Sequence, residues 1–123
     1  MERSVIGVDI AKNVFQVAVS TTPGRVDEER RVTRRKFFEW LGNRKASVVV
    51  LEACGAAHHV GRKCREMGHG PVLLPPDRAK PYVVGNKTDR ADTVGILEAY
   101  RNEKIRPVPV KTIDQMYALS KGQ

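Results

Sequence analysis

The sequence predicts an α/β domain: a mixed sheet with helices on both faces. Three observations carry this. The first 32 residues hold three turn-linked segments of strand character. Two short apolar runs rich in β-branched residues follow, at 47–51 and 71–74. Amphipathic stretches of helical period separate and follow those runs.

Residues 4–10 (SVIGVDI) and 14–20 (VFQVAVS) read as strands joined by a tight turn at Lys12-Asn13. Alternation in the second strand places Val14, Gln16, Ala18 and Ser20 on one face, with Phe15, Val17 and Val19 on the other. Thr22-Pro23-Gly24 is a turn, and residues 25–32 are polar enough for an exposed edge strand. Thr33 is placed to cap a helix in which Phe37, Phe38 and Leu41 share a face and which Gly42 ends. Residues 47–51 are the signature of a strand covered on both faces. Ala57, Val60, Cys64 and Met67 recur at helical steps up to Gly68, and residues 71–74 form another strand. Residues 75–88 are a basic loop with one helical turn at 77–80. A helix runs from Asp89 to about Glu103, with Val94, Leu97 and Tyr100 or the Arg101 stem towards the core. Arg106-Pro107-Val108-Pro109-Val110 cannot be helical and reads as an extended linker. Thr112 then caps a helix through Met116 and Leu119. The expected division is a domain over 1–105 and a linker with the start of a connecting helix over 106–123. A meander leading into βαβ crossovers is the arrangement of ribonuclease-H-like nucleases.

At 123 residues the chain fits one domain that buries a core without disulfides, although its 41% apolar share is slightly low. No apolar run is long enough for a membrane span, and the N-terminus lacks a signal peptide's apolar stretch. The cysteines, Cys54 and Cys64, give no disulfide framework, so a reducing cytoplasm is expected. A net charge of +8 points to a polyanionic partner.

Against that charge, Asp9, Glu52, Asp89 and Asp92 stand where apolar strands end or a helix begins. Asp89 and Asp92 lie one helical turn apart, and in a first turn they also suit the helix dipole. A single acid at a helix start is ordinarily a cap. Glu52, directly after Val48-Val49-Val50-Leu51, instead risks burial and needs a partner. Carboxylates gathered from distant strand ends repel one another, and two Mg²⁺ or Mn²⁺ ions about 4 Å apart reverse that cost and clamp a phosphodiester.

The blocks VIGVDIAKNVFQVAV, VVLEACGAAHHV, LLPPDRAKPYVVGNKTDRADTVGILEAY and RPVPVKTIDQ closely resemble the N-terminal half of DEDD-type insertion-sequence transposases. This is the one-ten family, which includes pilin gene invertases. The resemblance implies an N-terminal domain similar to the Holliday-junction resolvase RuvC. It carries the family's four metal-binding, catalytic acids onto Asp9, Glu52, Asp89 and Asp92. It implies DNA as substrate, a guide RNA, a homo-oligomeric full-length protein and a serine nucleophile in a C-terminal domain. Ser4, Ser20, Ser47 and Ser120 match no such motif, so the chain is expected to be a fragment not competent for complete transposition.

Lys12, Lys87 and Arg90 flank the acids and are candidates to hold the nucleic-acid backbone, as are Arg34, Arg35 and Lys36 in the densest basic cluster. Cys54, His58, His59, Cys64 and His69 lack the paired spacing of a zinc site. Two other readings compete: a nucleic-acid-binding module whose acids are structural, and an actin-like or sugar-kinase ATPase. The second meets Ala11 and Lys12 where a glycine-rich turn is needed.

Overall fold

The computed structural model describes residues 4–11, 13–79 and 89–116, with the backbone alone for 89–92. The strands are β1 (Val5–Ile10), β2 (Val14–Ser20), β3 (Glu28–Thr33), β4 (Val48–Glu52) and β5 (Gly70–Leu74). They form one sheet in the order β3-β2-β1-β4-β5. The meander β1-β2-β3 pairs antiparallel, whereas β4 lies parallel to β1 and β5 parallel to β4. The helices are α1 (Arg34–Gly42), α2 (Gly55–Glu66), α3 (Pro76–Ala79) and α4 (Asp89–Arg101).

Strand alternation divides the core in two. Ile6, Val8, Phe15, Val17, Val19, Val49, Leu51 and Leu73 turn to one face, where Phe37 and Leu41 of α1 and Ala57, Val60 and Cys64 of α2 cover them. Val5, Ala18, Val50 and Leu74 turn to the other, under Ala79 of α3 and Ile96, Leu97 and Ala99 of α4. The mixed sheet with helices on both faces is therefore as the sequence predicts. Thr33 caps α1, its hydroxyl accepting from the Lys36 N–H at 3.2 Å.

The structure departs from expectation in four places. The fourth strand is shifted by one residue, because Ser47 is occupied elsewhere: its N–H donates to His69 Nδ1 and its hydroxyl to the Lys45 carbonyl. The edge strand starts at Glu28, since residues 22–25 close a turn with Gly24 at φ 78°. Met67 leaves the α2 stripe and is 38% exposed, because the helix ends at Glu66 and Gly68 turns away at φ 88°. On α4, Thr93, Ile96, Leu97 and Ala99 are buried and Val94 only half so.

The segment 106–110 is extended, as its prolines require, and it is docked on the domain. The Val108 N–H donates to the Leu73 carbonyl at 2.7 Å, bridging to β5. Val110 presses on Gly61, where an added Cβ would lie 3.1 Å from Val110 Cγ2. Residues 113–116 are helical behind a reciprocal cap: Thr112 Oγ1 accepts from the Gln115 N–H, and Gln115 Oε1 from the Thr112 N–H. No helix among the described residues is long and apolar enough to cross a membrane.

Candidate metal centre and nucleic-acid interface

Parallel pairing of β1 with β4 sets Val8 beside Leu51, so the next residues along the two strands are Asp9 and Glu52. Both fall on the α4 face of the sheet, in phase with Val5 and Gly7 on β1 and with Val48 and Val50 on β4. Both carboxylates are half-buried and line one cleft of about 130 Å³ with Val8, Ile10 and Cys54. Two strand-end acids at adjacent positions of a parallel sheet are held by ladder geometry rather than by a loop.

The direction of α4 follows from its contacts. A Cβ on Gly7 would sit 3.0 Å from Leu97 Cγ and 3.1 Å from the Thr93 carbonyl oxygen, so α4 lies directly on β1. Its last turn, with Glu98 and Arg101, lines a cavity with Ser20, which pairs with Val5 at the start of β1. The helix therefore runs against β1, with its N-terminus towards the Asp9 end. Stepping back from Thr93 to Asp89 covers about 6 Å of helix. Stepping forward from Gly7 to Asp9 covers about 6.6 Å of strand. The α4 backbone at Asp89 and Asp92 thus lies over the edge that holds Asp9 and Glu52; the side chains of both, and of Arg90, lie outside the described residues.

Two hard-oxygen acids on one cleft fit a divalent cation of the Mg²⁺ or Mn²⁺ type. Among the described residues, no three of His, Cys, Asp and Glu gather as a metal group.

Arg34, Arg35 and Lys36 open α1 as exposed residues, with Arg35 and Lys36 reaching Glu39 at 3.6 and 3.8 Å. Thr33 pairs with Val14 across the sheet, so α1 begins at the same edge as Asp9. Lys12 and Lys87 lie outside the described residues. The structure adds cations that sequence reasoning passed over. Burial, then the nearby charges of Arg34, Arg62 and Lys63, hold the His59 imidazole below its usual pKa. Arg62 and Lys63 thus continue the Arg34 tract onto α2 beside His59, and their place three and four residues after it was a legible signal. Aromatic rings back this face, with Arg44 4.6 Å from the Trp40 ring centre and Lys63 5.0 Å from that of Phe38.

The Cys and His residues serve separate ends. Cys64 is core, its thiol pushed up to about 12 by burial. Buried His69 accepts from the Ser47 N–H at 3.0 Å through Nδ1, so its proton is on Nε2, which donates to the Leu41 carbonyl at 2.9 Å. His58 Nδ1 accepts from the Lys111 N–H at 3.0 Å. That last contact spans 53 residues, and no spacing rule would have found it.

No family model matches the chain. Over 111 residues it is 41% identical to the transposase for insertion sequence element IS1111A of Coxiella burnetii, covering 90% of this chain and 30% of that protein. It is 39% identical over 115 residues to a probable family 20 transposase of Pseudomonas aeruginosa, covering 94% of this chain and 34% of the relative. The chain thus spans about a third of the length of these relatives. Among solved structures it resembles T. thermophilus RuvC, solved in complex with a Holliday junction substrate. The TM-score is 0.62 at 13% identity, over 87% of this chain and all of RuvC. The fold is ribonuclease-H-like.

Proposed function

We propose that this chain, whose curated relatives are insertion-sequence transposases and whose fold is that of RuvC, is a metal-dependent domain acting on DNA phosphodiester bonds during transposition. The observation that carries the reading is the pair Asp9 and Glu52, set on one cleft by the β1–β4 ladder under the N-terminal end of α4. In this reading Asp9, Glu52, Asp89 and Asp92 hold Mg²⁺ or Mn²⁺. Such ions, when bound, neutralise charge at a phosphate and favour attack on it. The protein's own part is positional. Strand ends fix two carboxylates, and the helix dipole favours acids in the first turn of α4.

Lys12, Lys87 and Arg90 neighbour the acids in the sequence, and in this reading they hold the DNA backbone together with Arg34, Arg35 and Lys36, which are exposed at the sheet edge of Asp9. The complete reaction, with its serine nucleophile, guide RNA and oligomeric assembly, belongs in this proposal to the longer protein. Asp9 and Glu52 favour catalysis over a purely structural role because both open onto one cleft at the sheet's edge.

The test is thermal unfolding with and without Mg²⁺ or Mn²⁺. A cation at a hundred times its Kd stabilises by about 2.7 kcal/mol, a shift of several degrees. Asp9→Asn, Glu52→Gln and Asp89→Asn should each abolish most of that shift. Unchanged metal affinity in all three rules out the metal site.

A further inference from the structure

Cys54 lines the acid cleft and also a second, more open cavity of about 330 Å³ on the α2 side. Three kinds of donor meet there. The first is the start of α2: the leading N–H groups of a helix have no partner within it, and the side chain of the N-cap, Cys54, caps none of them. Gly55 at that point has open space around it. The second is His58, only 6% exposed. Its Nδ1 accepts the Lys111 N–H, so the ring proton must be on Nε2. Among the described residues nothing accepts from that Nε2–H, and the ring lines the cavity.

The third donor is Lys111, which also lines the cavity. Its backbone is gripped at both ends: the N–H by His58, and the carbonyl by Arg62 Nη1 at 2.6 Å. These contacts fix the residue at the cavity wall, and the Val108 bridge to β5 holds the segment down.

These groups are all donors, and the surroundings are cationic. Burial first, then Lys111 and Arg62, keep the His58 imidazole below its ordinary pKa, so it serves as a neutral donor near pH 7. A metal cation would meet Lys111 and Arg62 as repulsion; an anion meets them as attraction. Helix N-termini with adjacent donors bind phosphate. The shared Cys54 wall puts such a phosphate next to the one over Asp9 and Glu52.

We propose that the cavity formed by the α2 N-terminus, His58 and Lys111 is a phosphate subsite that holds a nucleic-acid backbone phosphate neighbouring the one at the acid cleft. This rests on the reading of Asp9 and Glu52 as the phosphodiester site. The neutral Nε2–H and the backbone N–H groups supply direction and Lys111 supplies charge, so the strand is held without base recognition.

The experiment has two arms on the whole chain. In the first, inorganic phosphate is titrated while the amide resonances of Gly55 and Ala56 are followed by NMR. The subsite predicts saturable shifts there, weakened about tenfold in Lys111→Ala or His58→Gln. In the second, binding to a short DNA duplex is measured against salt. Lys111→Ala should lower the slope by about 1, as expected for one lost phosphate contact. Circular dichroism checks that His58→Gln is folded, and Lys111→Ala, at a half-buried position, carries the test if it is not. Shifts scattered over surface lysines without Gly55 and Ala56, or an unchanged slope in Lys111→Ala, overturn the subsite. Asp9→Asn should abolish metal stabilisation yet keep the phosphate shifts, so failure here is separable from failure of the metal reading.

Discussion

Single residues in this chain act mainly by joining elements that the sequence separates widely. Ser47 and His69 are the clearest instance. The Ser47 N–H donates to His69 Nδ1, and His69 Nε2 donates to the Leu41 carbonyl, tying the end of α1 to the entrances of β4 and β5. The Ser47 hydroxyl donates to the Lys45 carbonyl, so the Ser4 hydroxyl must donate to Ser47 Oγ at 2.6 Å. His69→Ala would leave the buried Ser47 N–H unmatched, at about 1–3 kcal/mol, while the Leu41 carbonyl keeps the Arg44 N–H. A loss of about 1–3 kcal/mol is therefore expected in urea unfolding, with the metal-induced stabilisation retained in whatever fraction stays folded. None of this was legible beforehand: a histidine among cysteines and other histidines invites a metal reading, and only tertiary contacts reveal a backbone clamp.

At the scale of elements, the approach of α4 to β1 is the contact that matters most for the site. Gly7 permits it, because any Cβ there would press on Leu97 and on the Thr93 carbonyl. Gly7→Ala should therefore cost about 1–3 kcal/mol through overpacking and lift α4 from the sheet. Its signature is weakened Mg²⁺ or Mn²⁺ stabilisation even though no carboxylate has been touched, read by calorimetry beside thermal unfolding. Strand faces were legible from alternation, and so were the α1 cap at Thr33 and the buried stripe of Ala57, Val60 and Cys64, since local period and capping chemistry decide them. The Asp9–Glu52 adjacency was also foreseeable once β4 was taken to lie beside β1. The α4 face was read less well: its small buried residues, Thr93 and Ala99, carry little hydrophobic signal, and at Thr93 it is Gly7 that lets the backbone come close. The docking of Val108 and Val110 was illegible for a related reason, because prolines announce an extended chain without saying what it lies against.

For the whole molecule, a net charge of +8 sets the terms on which it meets a polyanion. Binding to duplex DNA should fall steeply with salt and vary little with sequence. Replacing Arg34, Arg35 and Lys36 together by alanine should lower the slope of log K against log salt by about 2–3 if each meets a phosphate; an unchanged slope would remove α1 from the interface. The parallel β1–β4 ladder has a consequence in time. Asp9 and Glu52 are far apart along the chain and become neighbours only when that ladder closes, and such non-local pairings are the slow part of folding. Positive charge, by contrast, needs no fold: residues 31–45 alone hold six Lys or Arg against one acid. On the proposed function, a newly synthesised chain would cling to nucleic acid before it has any paired carboxylates to act on it with: adhesion would come first, and the capacity for chemistry only with the finished sheet.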